Sequence, residues 1–242
     1  ILIKKYKNNL YCIYMNIIQT WKTHDVPTLY QPLVRKVKEL NPDWNYMFFD
    51  DNEIVTFIKT KMPEHYNTFV HLKHKIQQLD FFRYLVIYYY GGVYLDLDVE
   101  LVLPLDKLYY DCDNECVFPI ELFNITDSII TCQNYTNLIG NYAFYSPPRH
   151  PFIKQIIDNI VCQRISPENI RIALSENGDP PSQVYVYCTT GPLLVTQSYI
   201  DYNANSVLLL ATDDQQPNRF GHIGIHHCLG SWKVNNYPKT LV

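Results

Sequence analysis

The chain lacks any apolar run near the roughly 18 residues that cross a bilayer, and its N-terminus lacks the basic-then-apolar layout of a signal peptide. No membrane span is therefore expected within it. It also lacks a basic surplus: 20 Lys and Arg stand against 24 Asp and Glu, a formal charge of -4, with the acids spread along the chain. Without a positive field, nucleic acid is not an expected partner. A disulfide framework is missing too, because the seven cysteines (Cys12, Cys112, Cys116, Cys132, Cys162, Cys188 and Cys228) are odd in number and scattered. Cys112 and Cys116 either pair or share a loop. No repeat, low-complexity tract or interdomain linker interrupts the 242 residues, so one domain over 1–242 is expected.

What is present is the material of a core. Hydrophobic residues make up 47% and charged residues 18% of the chain, the balance of a globular protein. Ile13 to Trp21 reads as a first strand. Pro27 suits the first turn of a helix carrying Leu29, Leu33, Val37 and Leu40, which Asn41-Pro42 stops. Trp44, Tyr46 and Phe48 alternate as a second strand, and Asp51 can cap a helix carrying Ile54, Phe57 and Ile58. The order strand, helix, strand, helix predicts an α/β fold with a parallel sheet. A helix over 64–78 with exposed His65, His71 and His74 is expected next, and no firm structure is expected for residues 1–12.

The chemistry concentrates in residues 79–104, LDFFRYLVIYYYGGVYLDLDVELVLP. Asp80 and Arg83 stand three apart on one helical face with Tyr84 beside them. Gly91 and Gly92 stop the helix where a positive φ is wanted, and Val93, Tyr94 and Leu95 open a β-rich run. Asp96 and Asp98 follow, two apart. If the strand stays extended to its end, both carboxylates leave on one side, close enough for one hard cation or its phosphates. A lone Asp-x-Asp is more often a solvated strand end. Here a buried strand and a helical Asp/Arg pair precede it.

Further on, 106–136 reads as a strand near Val117 to Leu122 and then a polar excursion. That excursion carries two glycosylation triplets, Asn124-Ile-Thr126 and Asn134-Tyr-Thr136, which arise often by chance and leave the compartment open. Leu138 to Tyr145 reads as one strand containing Asn141, and 146–152 as a Pro-rich start to a helix bearing Ile153, Ile156, Ile157 and Ile160. Val184 to Cys188 is read as a strand leading into Thr189-Thr190-Gly191-Pro192, followed by a helix to about Asn203 and a strand over Val207 to Ala211. The tail holds His222, His226, His227 and Gly230-Ser231-Trp232.

The Asp80-x-x-Arg83-Tyr84, Gly91-Gly92-x-Tyr94-x-Asp96-x-Asp98 pattern resembles the DXD-motif glycosyltransferases of the sugar-binding-region family. That family includes initiating mannosyltransferases of the Golgi and inositol phosphorylceramide mannosyltransferases, with the large glucosylating toxins as distant relatives. Gln19-Thr20-Trp21, Asn41 to Asp51, Ser146 to Phe152, Thr190-Gly191-Pro192 and the His226-His227-x-x-Gly230-Ser231-Trp232 ending resemble its other segments. The chain departs from the pattern at Ile18, where the family has His, and at Leu79.

The resemblance implies an open, mostly parallel nucleotide-binding sheet flanked by helices (GT-A-like), with the site at the carboxyl ends of its strands. It implies a retaining hexosyl transfer from a nucleotide-sugar donor, GDP- or UDP-hexose, to a glycan, glycolipid or protein acceptor. Mn²⁺, or Mg²⁺, would be held by Asp98 with Asp96 on metal or ribose, and His227 would complete the shell. Trp21, Asp80, Arg83, Tyr84, Asn141, Ser231 and Trp232 are the expected donor contacts, Trp21 by the base, unless it is simply a packed core tryptophan. Because the chain starts at Ile1, an upstream anchor of the kind many members carry is also expected. Two rivals are a phosphoryl-transfer enzyme using D-x-D, which would want Thr or Val where Glu100 stands, and a non-catalytic carbohydrate- or metal-binding module with a degraded site.

Overall fold

The computed structural model describes residues 2–6, 9–13, 15–110, 115–122, 137–176, 180–202, 205–211 and 218–230. The sequons, Cys112, Ser231 and Trp232 lie outside the described residues. In chain order the strands are β1 (Leu2–Tyr6), β2 (Asn9–Ile13), β3 (Asn16–Thr20), β4 (Asn45–Phe49), β5 (Gly92–Leu95), β6 (Val99–Leu101), β7 (Cys116–Leu122), β8 (Leu138–Ile139), β9 (Ala143–Ser146), β10 (Val207–Leu210), β11 (Arg219–Phe220) and β12 (Gly224–His226). The α-helices are α1 (Gln31–Leu40), α2 (Asp51–Lys61), α3 (Tyr66–His71), α4 (Lys75–Tyr90), α5 (Pro151–Val161), α6 (Pro167–Glu176), α7 (Pro181–Thr189) and α8 (Pro192–Tyr202).

The main sheet has the order β10-β7-β9-β5-β3-β4, with β8 paired to β7. Strands β3, β4 and β5 are mutually parallel, β7 and β10 are parallel, and β9 runs antiparallel between β5 and β7. Five strands therefore point one way and β8 and β9 the other, the mixed, mostly parallel α/β sheet expected. Strand alternation divides the core into two. Ile18, Tyr94, Phe118 and Phe144 face one layer with the apolar sides of α2, α4, α5, α7 and α8. Ile17, Val93, Leu95, Val117 and Tyr145 face the other, with Val37 of α1, Trp44 and Phe220. Ile18, at the position where a histidine was expected by resemblance, is a fully buried core residue. Leu79 likewise packs against the first core layer.

Helix α4 fixes where the site lies. It runs back along β5, so its first turns, with Asp80 and Arg83, come to the carboxyl edge of the parallel strands. Gly91 ends it at φ 67, its N–H reaching Ile87 O at 2.8 Å. Gly92 follows at φ 114, and a Cβ there would sit 2.3 Å from Asn16 O, so the turn into β5 admits only glycine.

Several elements differ from the sequence reading, each for a local reason. Helix α1 starts at Gln31, not Pro27. Pro32 is the proline in its first turn, and Leu29 stays exposed. Asp50, not Asp51, caps α2, accepting from Asn52 and Glu53 N–H while the Glu53 carboxylate returns to the Asp50 N–H. The expected helix over 64–78 is broken into a 3₁₀ turn at Pro63–His65, α3 and the start of α4, where His74 and Gln77 form the cap. Residues 184–188 belong to helix α7, not a strand. An alternating Val184, Val186, Cys188 run fits either structure, and packing against α8 decides it. The expected strand over 138–145 is interrupted at 140–142, which leaves Asn141 in the gap between β8 and β9. The N-terminal residues form the hairpin β1–β2. Cys116 is a free, buried thiol against Ser146 Oγ at 3.1 Å. No helix among the described residues is long and apolar enough to cross a membrane.

Candidate active site

The carboxyl ends of β3, β4 and β5 place Trp21, Asp50 and Asp96 along one edge. The chain does not stay extended past β5. Leu97 and Asp98 form a turn closed by the Val99 N–H on Asp96 O (3.1 Å), after which β6 begins. Asp96 and Asp98 thus converge through a turn and not through strand alternation. Strand β12 lies antiparallel on β6 and brings its last residue, His226, to the same place. The His226 Nε2 is 3.4 Å from Asp98 Oδ1, and one ligand atom from each of Asp96, Asp98 and His226 lies within 4.8 Å of the others. His227, expected in this shell, turns to the opposite face, with Nε2 3.0 Å from Glu100 Oε2. The residue beside the aspartates is His226.

The trio is electrostatically tight. Burial pushes the Asp98 carboxyl up, but His226 and the Leu229 N–H, 2.9 Å from Oδ2, outweigh it and hold Asp98 below its ordinary value. Burial pulls His226 down, yet Asp98, the Cys228 thiol and Asp96 together raise it to about 10. The imidazole also stacks on Tyr142, with ring centroids 4.0 Å apart and planes at 19°. Asp96 is raised, chiefly by burial and against the attraction of Arg83.

Behind the trio lies a buried polar network. Arg83 pairs with Asp80 Oδ1 at 3.0 Å, donates to Asn141 O at 2.6 Å and reaches Asp96 Oδ2 at 3.4 Å. Its guanidinium lies over the Tyr94 ring, 4.7 Å from the centroid, and the Tyr94 hydroxyl donates to Asp96 Oδ1 at 2.9 Å. Asp80 is further held by the Thr190 hydroxyl (2.8 Å) and the Asn141 amide (3.2 Å). The Tyr84 hydroxyl donates to Thr190 O (3.0 Å) and accepts from the Asn141 amide (3.0 Å). Burial lifts Asp80 to about 6 in spite of Arg83, Thr190 and Asn141. Buried charges persist when paired and hydrogen-bonded, and the one fully buried side-chain atom of this network left without a partner is Arg83 Nε.

Of the expected residues, the fold brings Asp80, Arg83, Tyr84, Asp96 and Asn141 into one network and sets Asp98 at its rim. Trp21 sits at the strand edge, partly exposed, with its ring 5.2 Å from that of Tyr30. Thr190, Tyr94 and Gln19 were not singled out as site residues. Tyr94 is detectable in principle, because it stands two before Asp96. Gln19 supports the turn from below, its amide reaching Asp96 O at 3.4 Å and its oxygen accepting from Tyr46 at 3.0 Å. A second group, His24, Asp50 and Glu53, also has ligand atoms within 4.8 Å. It is the α2 capping box with a histidine laid on it (2.9 Å to Glu53), and the cap accounts for its geometry.

Comparison with known proteins gives this site its context. Residues 27–113 match the family described as glycosyltransferase sugar-binding region containing DXD motif. The chain is 32% identical over 146 residues to the mannosyl phosphorylinositol ceramide synthase SUR1 of Saccharomyces cerevisiae, covering 60% of this chain and 34% of that protein. It is 30% identical over 155 residues to inositol phosphoceramide mannosyltransferase 3 of Schizosaccharomyces pombe, covering 64% and 39% respectively. With the initiation-specific alpha-1,6-mannosyltransferase of Saccharomyces cerevisiae it shares 23% identity over 175 residues, 58% of this chain and 36% of that one. The chain therefore spans well under half the length of these curated relatives. Among solved structures it is similar to the PaToxG glycosyltransferase, with a TM-score of 0.48 and 15% identity over 78% of this chain and 69% of that one. The galactosyltransferase LgtC gives 0.42 and 14% over 81% and 73%. The matched stretch, with Asp80, Arg83, Asp96 and Asp98 in it, is similar to the DXD-containing sugar-binding region of glycosyltransferases.

Proposed function

We propose that residues 1–242 form one glycosyltransferase catalytic domain. It moves a hexosyl group, mannosyl first among the candidates, from a GDP- or UDP-linked donor to a glycan or glycolipid acceptor with retention of configuration. The observation that carries the reading is the convergence of Asp96, Asp98 and His226 at the carboxyl edge of the parallel strands. Two carboxylates and an imidazole that gives up its proton on binding are the mixed oxygen and nitrogen donors that suit Mn²⁺ and tolerate Mg²⁺. A cation held there supplies positive charge where a nucleoside diphosphate departs.

The chain's own residues supply the rest. Asp98 and His226 hold the ion. Asp96 is kept in place by Arg83 and Tyr94, and it meets metal or ribose. Asp80 and Arg83 are 3% and 4% exposed, so they act mainly by fixing Asn141, Thr190 and Asp96 around the donor sugar, not by offering free groups to it. Trp21 gives its indole to the base. The choice of mannosyl and of a glycolipid acceptor rests on the names of the curated relatives, which include inositol phosphoceramide mannosyltransferases.

The test is release of nucleoside diphosphate from a panel of nucleotide sugars by purified protein with Mn²⁺, repeated with Asp98→Asn. Hydrolysis of at least one donor that Asp98→Asn abolishes is expected. A panel without any turnover, or an unaffected variant, sinks the reading.

A further inference from the structure

His226 and His227 are adjacent, and something must decide which ring meets the aspartates. The ladder that presents them is short. Strand β12 faces β6 over three pairs: Gly224 opposite Leu101, Ile225 opposite Glu100 and His226 opposite Val99. Side chains alternate along a strand and share a face with their cross-strand partner, so a slip of one residue exchanges the two faces. In this chain such a slip would send His227 to the aspartates and His226 away.

The two ends of β12 are held differently. At its N-terminal end Phe220 and Ile223 are buried and resist any shift. From Ile225 to Gly230 no residue is buried, and the ring stack there, His226 on Tyr142, is one that His227 would make equally after a slip. The C-terminal end instead has a polar anchor on the face away from the aspartates. Glu100 Oε1 accepts from Lys36 Nζ of α1 at 2.7 Å, and Glu100 Oε2 meets His227 Nε2 at 3.0 Å. Both oxygens of one carboxylate are thus engaged by two separate elements, and His227 lies one residue past the ladder's end.

We propose that Glu100, backed by Lys36, is a positioning residue that captures the His227 ring and thereby selects His226 for the cation site. The proposal rests on the reading of Asp96, Asp98 and His226 as that site. Exposed ion pairs add little to global stability, so the effect belongs in cation affinity and strand register, not in melting temperature.

The experiment titrates Mn²⁺ alone into the full chain and, without metal, follows amide hydrogen exchange over residues 224–229. Glu100→Ala is expected to weaken Mn²⁺ binding about tenfold, the scale seen for groups that orient ligands, and to speed exchange in that segment at a nearly unchanged Tm. Glu100→Gln, which keeps one acceptor oxygen, should fall between. His226→Ala should cost less Mn²⁺ affinity in the Glu100→Ala background than alone, because a freed His227 can take its place. Wild-type affinity and exchange in Glu100→Ala overturn the proposal, as does a lowered Tm with unchanged Mn²⁺ affinity. Asp98→Asn separates the two layers: if it binds Mn²⁺ normally, the site reading itself fails, whereas if it loses binding while Glu100→Ala does not, only the positioning role fails.

Discussion

The site is assembled from two kinds of chain. One is the continuous run through α4, β5 and the turn before β6, which contributes Asp80, Arg83, Tyr84, Tyr94, Asp96 and Asp98 within 19 consecutive positions. The other is a set of distant visitors: Asn141 from the gap between β8 and β9, Thr190 from the α7–α8 turn, and His226 from β12. The local run is rigid by construction. Ten of its side chains from Gln77 to Ile87 are buried, and its glycine stop admits no substitute. The visitors are held by two or three hydrogen bonds each or by a three-residue ladder. Charge placement is thus built into the local run, while its orientation depends on contacts that close late in sequence.

The comparison breaks most visibly at Arg83. Removing one partner of a buried pair leaves the other charge uncompensated, typically at a cost of about 3–5 kcal/mol. Arg83→Met should show that loss in urea unfolding, and Arg83→Met with Asp80→Asn should recover much of it. If the double variant is no better than the single, the Asp80–Arg83 pair is not the dominant contact of α4.

Asp98 tests function where Arg83 tests stability. Losing a group that stabilises developing charge commonly lowers turnover by about 10²–10³-fold, and Asp98→Asn should do so with a fall in unfolding midpoint much smaller than that of Arg83→Met. A parallel loss of stability would instead assign Asp98 to the tail contacts made by His226 and Leu229.

Among the visitors, Thr190 offers a cleaner cut. Thr190→Val strands one Asp80 oxygen, for which about 1–3 kcal/mol is the usual cost, whereas Thr190→Ser keeps the hydroxyl and should be near wild type. Equal loss in both variants would point to the methyl contact and away from the hydrogen bond.

The smallest effect lies outside the site, at the start of α5. Buried His150 accepts the Phe152 N–H on Nδ1 at 3.2 Å, and burial lowers its pKa from the ordinary 6.5. The folded chain therefore binds this proton less readily than the unfolded one. Its contribution is complete above pH 6.5 and is lost as the pH falls from there through the lower folded value. His150→Ala should cost about 1 kcal/mol, the scale of an N-cap, and flatten that part of the pH–stability profile. An unchanged profile assigns the acid sensitivity to other groups.

Sequence by itself determined what lies within one element or one turn. Helical spacing put Asp80 beside Arg83, Gly91 and Gly92 marked a stop that sterics enforce, and apolar runs marked β3, β4 and β5 as strands. These follow from backbone geometry and need no partner.

Tertiary structure decided everything that required a partner. An alternating valine run became α7 because its apolar residues found α8 and the helical layer. The strand expected through Asn141 broke so that the amide could reach Asp80 and Tyr84. Of two adjacent histidines, the one facing the aspartates was set by a cross-strand register that no local signal encodes. A one-residue shift is invisible in a sequence where both residues are histidine. It is resolved only when Glu100 and β6 lie alongside.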